Sequence, residues 1–589
     1  MSGVVSLSAG GRGPARRLMI DTPVFPMKKF SRKKTGRRNG NGGDRKPATG
    51  KKSAGSSMEG KQERPRAAKA GAAGPKGQEV GIMVIKIALL ILFFAVTVGV
   101  GLYCRRHTAN VGDFVLGGRN VGPWVTAFAY GTSYFSAVIF VGYAGQFGWA
   151  YGVSATWIGL GNALIGSLLA WVVLGRRTRI MTKHFESATM PDFFAKRYQC
   201  PPLKIVVSVI IFIFLVPYSA SVYKGLSGLF SMAFGVDFRF CMIGMAVLTA
   251  IYVMAGGYMA AALNDLIQGV IMLIGIAAVV MTTLSSQGGL LSAMIGMSQI
   301  ENTADPAFQG AYASFFGPDP VGLLSVVILT SLGTWGLPQM VHKFYTIKNE
   351  KAIKTGTVIS TVFALIVAGG SYFHGSFGRL FVQPAADGTV AFDDIVPTMI
   401  QGNLSDLLIG VVVILVLSAS MSTLSSLVIA SSSTFTLDFL KPLFKQKMNG
   451  KEQVRTIRLL CGLFVLISVI IALRPNSLIT SLMSLSWGTL AGCFLGPFIF
   501  GLFWKKTTAA GVWAGLICGI GINVSNLFLT FTTPTSAGAL SMILSLLIVP
   551  LISLVTPKLP RNFVEESFAC YDEKVMAAHR MVLNEDEDQ

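Results

Sequence analysis

Apolar runs of about 20 residues, the length a helix needs to cross the hydrocarbon core of a bilayer, recur along most of this chain and constrain its fold more than any other feature. Reading from Met83, they occupy 83–103, 120–148, 153–175, 203–230, 237–256, 259–284, 320–344, 355–380, 406–436, 455–474, 478–503, 508–530 and 537–556, numbered here as spans 1 to 13. Backbone surrounded by lipid must satisfy its own hydrogen bonds, which helices do. The expected class is therefore an all-α membrane protein with about 13 transmembrane helices. Composition agrees, because 52% of the 589 residues are hydrophobic and 13% are charged, against about 25% charged in soluble domains. The run from 404 to 441 exceeds one crossing, which predicts that part of span 9 tilts or extends into water.

The net charge of +22 is concentrated at one end. Residues 1–81 hold 19 Lys/Arg and 5 Asp/Glu, a balance of +14, which leaves +8 for the rest. This Gly-, Ser-, Pro- and Lys-rich tail (1–82) has little apolar surface to bury and is expected to be disordered. It lacks the apolar core and cleavage site of a secretory signal. Three readings of it stand open: an upstream extension with Met83 as the working start, a solvated polybasic arm, and an organelle presequence. No nucleic-acid partner is expected. Five histidines and seven scattered cysteines show no metal-ligand or disulfide spacing, so no cofactor is expected.

Lys and Arg in short loops mark the cytoplasmic side of a membrane. The connections after odd-numbered spans (CRRHTANVGDFVLGGR, GRRTRIMTKHFESATMPDFFAKRY, HKFYTIKNEKAIK, LKPLFKQKMNGKEQVRTIR and WKK) are all basic. Those after even-numbered spans, such as FGWAYG and QPAADGTVAFDD, are neutral or acidic. The alternation predicts an outer amino terminus, a cytoplasmic carboxyl terminus and multi-pass insertion in the plasma membrane, or the inner membrane of a bacterium.

Two spans are interrupted near their middles, span 2 at Ala129-Tyr-Gly-Thr-Ser-Tyr-Phe-Ser136 and span 7 at Ser331-Leu-Gly-Thr-Trp-Gly-Leu-Pro338. An unwound segment in lipid survives where it is buried in protein or lines a polar cavity. Spans 2 and 7 lie five apart and so open two five-span units of opposite orientation. Matched interruptions in inverted halves point to a transporter binding site at the bilayer midplane. The predicted organisation is a peripheral span and cytoplasmic loop (83–119), a first repeat (120–284), an extracellular loop (285–319), a second repeat (320–503), two peripheral spans (504–560) and a cytoplasmic tail (561–589).

Span 9 places Ala419, Ser422, Thr423 and Ser426 on one helical face, with Ser425 beside it. A strip of hydroxyls suits a hard monovalent cation, which prefers oxygen ligands. A single Ser or Thr in such a helix more often bonds its own carbonyl four residues back; the cluster reverses that preference. Asp265 lies about six residues, roughly 9 Å, into span 6 from the inner side, and Ser425 about 18 residues, roughly 27 Å, below the outer start of span 9, so both fall in the inner half of the membrane. A carboxylate there marks an ion or proton path. Lys224 and His374 sit near the outer ends of spans 4 and 8, where snorkelling or water contact is the expectation.

From Met83 to about Pro560 the chain resembles the sodium/solute symporter family, relatives of the sodium/proline and sodium/pantothenate symporters. The resemblance rests on Leu116-Gly-Gly-Arg-Asn-Val-Gly-Pro-Trp-Val-Thr126, on Gly256 to Gln268, and on Met421-Ser-Thr-Leu-Ser-Ser426 followed by Asp438. It implies a leucine-transporter-type 5+5 inverted repeat with broken helices, sodium as the coupling ion, and uptake of a small organic solute by alternating access, by a chain working as a monomer. It further implies a main sodium site from the carbonyls of Thr132, Phe135 and Ala419 and the hydroxyls of Ser422 and Thr423, and a second from Asp265, Ser422, Ser425 and Ser426. The solute would touch Ser133, Tyr134, Ser136, Tyr218, Thr334, Trp335 and Pro338. The family's proline transporters have Asp where this chain has Tyr134, and Gly336-Leu337-Pro338 is more like the pantothenate branch, so the implied solute is a carboxylate or amino-acid-like molecule. A proton-coupled carrier using Asp265 and a sensor on a transporter fold are the rival readings. No catalytic residues are expected, since no nucleophile-base pair or phosphate-binding loop is present.

Overall fold

The computed structural model describes residues 76–105, 111–302, 305–385, 387–403, 405–444, 446–474 and 478–572, excepting the side chains of 76–82, 85, 134, 252, 255, 256, 402, 403 and 406. Most of the basic tail, residues 1–75, and the last residues, 573–589, lie outside the described residues. Among the described residues the protein is all helical, with one isolated bridge between Val121 and Ile347 in place of any sheet.

Among the described residues, eleven helices are long and apolar enough to cross a membrane. The exact count of 13 is not confirmed, and two glycines mark the joints between expected spans. Spans 2 and 3 run together as Val138–His184, turning at Gly152 with φ 61° and ψ −140°. Span 5 runs as helix from Phe238 to a kink at Gly257, φ 61° and ψ −158°, where it joins span 6. Such backbone is open to glycine and strained for other residues. At Gly257 a Cβ would also sit 2.8 Å from the Phe114 ring.

Burial separates a core from a lipid-facing periphery. The most apolar window of Leu407–Phe444 is 78% buried and that of Ile479–Phe503 83%, against 22% for Lys86–Arg105. Lys86–Arg105 packs on span 6 and span 9, and Ala509–Leu529 and Pro534–Val555 pack on Ile479–Phe503. Their outer faces expose Ile91, Leu92, Ile517, Leu551 and Val555, as lipid contact requires. Span 9 does extend past one crossing: after Asp406–Thr434 the chain continues through a wide π-helical turn, Phe435–Leu440, to Lys441–Phe444. In that turn the buried Asp438 meets Lys204 at 3.5 Å.

Both interruptions are present. Pro123–Tyr134 ends at Phe135, which is extended at φ −90° and ψ 119°, and the helix resumes as a π-helical turn at Val138–Tyr143. Pro320–Ser331 tightens into a 3₁₀ turn at Leu332–Trp335, opens at the extended Leu337, and restarts as Pro338–Tyr345. Proline at the first helical position costs no hydrogen bond there.

Loops of like parity meet each other. From the connections after odd spans, the Arg119 guanidinium donates to the carbonyls of Thr182, Ser187 and Tyr345, Arg179 donates to Ile347, and Arg197 donates to Gly501 and Trp504. Tyr345 and Gly501 lie in the last turns of their helices, where carbonyls are unpaired and favour a cation. From the connections after even spans, Arg379 donates to the Trp149 carbonyl and covers the Tyr312 ring at 3.9 Å, and the Phe315 carbonyl accepts from Trp157 at the outer start of span 3.

Candidate functional site

The break in span 2 survives in the interior because span 9 supplies what the backbone lost. The Ala137 amide donates to Ser420 Oγ at 3.2 Å. The Phe135 carbonyl accepts from Thr423 Oγ1 at 3.1 Å, and the Thr132 carbonyl lies 3.4 Å from the same hydroxyl. Ser422 Oγ donates to Thr132 Oγ1 at 2.7 Å. Ala419 is buried on the same helix. Carbonyl and hydroxyl oxygens from two elements nearly 300 residues apart in sequence thus converge (separations of 288 to 291), with no charged group in any of these contacts. Neutral oxygens of this kind are the donor set that a hard monovalent cation takes.

About one turn further along span 9 the surroundings change sign and character. Asp265 is wholly buried, its carboxylate faces the Ser422 hydroxyl, and the Lys343 ammonium stands 3.6 Å from its Oδ2. Lys343 also donates to Ser426 Oγ at 3.0 Å and lies over the Tyr258 ring at 5.1 Å. Ser426 shares a 2.9 Å hydrogen bond with Ser133. Ser425 donates to the Ser422 carbonyl at 2.8 Å, within its own helix. The 3.6 Å separation makes Asp265 and Lys343 an ion pair without a close hydrogen bond.

Of the residues expected around a solute, Ser136 and Tyr218 are brought together. The Tyr218 hydroxyl interacts with Ser136, Thr423 and Trp487, and its ring meets Trp487 edge to face at 5.7 Å. Ser133 instead bonds Ala129 and Ser426, beside the Asp265 and Lys343 pair. Thr334 donates to the carbonyls of Gly166 and Ser331, and the Trp335 indole to Ile165, so both lean on span 3. Pro338 is buried at the start of its helix. The Tyr134 side chain lies outside the described residues.

Several residues escaped the sequence reading. Lys343 reads as a loop charge in HKFYTIKNEKAIK, yet it is 2% exposed inside Pro338–Tyr345; its place within span 7, one residue before the end, is the available signal. Trp487 links the Tyr218 ring to the span 7 break, since a Cβ on Gly333 would lie 3.6 Å from its ring. His374 is not at water: it is buried, bonded to Thr283 at 2.9 Å and stacked on Phe140. Lys224 pairs with Asp393 at 3.9 Å. A cavity of about 490 Å³ opens on the side of the even connections, lined among others by Gln146, Asp319, Thr480 and Ser484, and Ser484 is hydrogen-bonded to Tyr143 at 2.7 Å.

Comparison with known proteins accords with this architecture. Residues 114–519 match the Sodium:solute symporter family. The chain is 30% identical over 445 residues to the osmoregulated proline transporter OpuE of Bacillus subtilis (strain 168), spanning 74% of this chain and 87% of that one. It is likewise 30% identical over 438 residues to a sodium/proline symporter of Staphylococcus aureus (strain JH9), spanning 73% and 83%. Among solved structures, a Na+-coupled sialic acid symporter superposes with a TM-score of 0.64 at 16% identity, over 80% of this chain and 98% of that one, which shows the shared leucine-transporter-type fold. A family match over most of the chain, two broken helices in that fold and the proline-transporter relatives agree: this multi-pass membrane protein belongs to the sodium:solute symporter family.

Proposed function

We propose that the chain is a secondary active transporter that couples inward sodium movement to uptake of a small carboxylate or amino-acid-like solute by alternating access. The observation that supports it best is the Thr423 hydroxyl, which reaches both the Thr132 and Phe135 carbonyls at the interrupted helix. Sodium would be held by Thr132, Phe135, Ala419, Ser422 and Thr423, joining span 2 to span 9. Because these segments belong to different halves, occupancy of the site favours the arrangement in which they touch. Differential affinity for that arrangement is the means by which an ion biases a conformational equilibrium.

The solute would lie beside this cage, against Ser136, Tyr218 and Trp487, with Tyr134, Thr334, Trp335 and Pro338 completing its surroundings. The Tyr143 and Ser484 hydrogen bond then separates that place from the cavity on the even-connection side, which the distribution of basic loops makes the outer side. In this reading the carboxyl terminus is cytoplasmic, the membrane is the plasma membrane, the two repeats are 120–284 and 320–503, and one chain suffices for a transport cycle. Each sodium ion entering down 100 mV releases about 2.3 kcal/mol, enough for roughly fifty-fold accumulation. The proton-carrier alternative needs Asp265 as a free titrating group, and its ion pair with Lys343 counts against that.

Two experiments test the reading. Purified protein is screened by thermal shift against proline, other amino acids, short carboxylates and pantothenate, each in sodium and in potassium; the cargo stabilises in sodium alone. Uptake of that cargo into proteoliposomes should then stop when sodium is replaced at fixed pH, and Ser422→Ala should raise the sodium concentration for half-maximal rate. Persistent uptake without sodium would overturn the coupling, and an unchanged sodium dependence in the variant would overturn the site.

A further inference from the structure

The residues that would form a second sodium site already hold a cation. Asp265 faces Ser422 of span 9, Ser425 beside it donates within its own helix, and the Lys343 ammonium projects between Asp265 and Ser426, 3.0 Å from Ser426 Oγ and 3.6 Å from Asp265 Oδ2. Lys343 is 2% exposed and Asp265 wholly buried, so solvent does not compensate either charge. An alkali ion and an ammonium ask for the same things, an anion and oxygen lone pairs, and two like charges around one carboxylate at low dielectric repel strongly. The donor set therefore does not fit sodium while the lysine is in place.

We propose that Lys343 is a tethered substitute for a second coupling ion: it neutralises Asp265, engages the Ser426 hydroxyl and leaves the main site as the one exchangeable sodium position. The inference rests on the transporter reading for its meaning in the cycle, although the exclusion itself follows from the ion pair. Three features make the lysine a fixed part of the pocket. Its helix, Pro338–Tyr345, is the restarted half of broken span 7. The face of Tyr258 covers the ammonium at 5.1 Å, a cation–π contact that the sodium ligands of the main site lack. The Ser426 hydroxyl that receives it is bonded on to Ser133 of broken span 2, so the one ammonium ties together spans 2, 6, 7 and 9.

The same geometry says what removal of the lysine would do. A cavity of about 10 Å³, room for roughly one water, already lies beside Lys343 and Ser426, lined by Gln339, His342 and Tyr258. The Gln339 amide oxygen makes no hydrogen bond to the described residues. Truncating Lys343 to alanine joins its volume to this cavity and leaves Asp265 without a counter-charge among the hydroxyls of Ser422 and Ser426. That is a set of oxygens with one negative charge and space for a small cation. Coupling would rise with it: the wild type, with one ion, is limited to roughly fifty-fold accumulation at 100 mV, and a second ion would square that limit.

The test counts bound radioactive sodium per chain on purified protein, at alkaline pH where a carboxyl in water is ionised, and needs no knowledge of the solute. Lys343→Ala should bind one more sodium than the wild type, and Lys343→Ala with Asp265→Asn should return to the wild-type count. Lys343→Arg, which keeps the charge, should bind as the wild type does. An unchanged count in monodisperse Lys343→Ala overturns the proposal, and so does a wild type that binds two. The latter needs no variant and decides the matter if Lys343→Ala does not fold. A wild type that binds none would instead refute the main sodium site, while the difference between wild type and Lys343→Ala would still judge the role of the lysine.

Discussion

Two clusters of hydroxyls on one helix, about a turn apart, have opposite electrostatic fates. Around Thr423 the partners are neutral backbone carbonyls exposed by a broken helix, and Ser422 beside it bonds the Thr132 hydroxyl. Around Ser426 the partner is an ammonium already balanced by a carboxylate. The first arrangement presents lone pairs with no cation bonded to them, which under the proposed function leaves room for a mobile ion. The second holds a cation that cannot dissociate. Similar side chains on one helix face therefore say little about ion binding until the charges facing them from spans 6 and 7 are known.

The sharpest way to break this contrast is to remove the fixed anion. Asp265→Asn strands a buried ammonium, and breaking one half of a buried pair costs about 3–5 kcal/mol; thermal unfolding in detergent should fall markedly, and Lys343→Met in the same chain should recover most of the loss. Unfolding at the wild-type temperature would show that the pair is already hydrated. Thr423→Ala removes the hydroxyl shared by two carbonyls. A hydrogen bond to a charged group is worth about 1.5–3 kcal/mol, so half-saturation by sodium should shift roughly ten- to hundredfold, with little effect on the Asp265 pair.

Smaller effects sharpen the boundary. Tyr143→Phe deletes the bond to Ser484, worth about 0.6 kcal/mol inside a bilayer; amide exchange in the adjoining turn should quicken by roughly threefold, and unchanged exchange would remove this pair as a restraint on the outer path. Ser425→Ala should do least, because that hydroxyl donates to its own helix and such bonds contribute little. Sodium affinity should stay within about 0.5 kcal/mol of wild type, and a clear fall would move Ser425 into the ion's shell.

Much of the fold was legible because lipid imposes a simple rule on sequence. Apolar length fixed most of the crossings, and the interrupted motifs at 129–136 and 331–338 showed where backbone would open. Periodicity put Ser422, Thr423 and Ser426 on one face, and counting rises placed Asp265 at their depth, where it does face Ser422. Gly152 and Gly257 turn the backbone at the joints between spans 2 and 3 and between spans 5 and 6, through a positive φ that hydropathy does not show. Thr334 and Trp335 were legible as members of a break but not as donors to span 3, because the partner carbonyls belong to a π-helical stretch that composition does not announce.

Local chemistry along the chain thus determined which segments enter the membrane, where two helices open and which of them carry oxygen. Tertiary structure alone decided whether an oxygen cluster meets a neutral carbonyl or a fixed charge. A lysine near the end of an apolar span reads the same whether it reaches for water or turns inward. Lys343 turned inward because folding placed a buried carboxylate and a hydroxyl within reach, and a charge without water goes to the partner that replaces it.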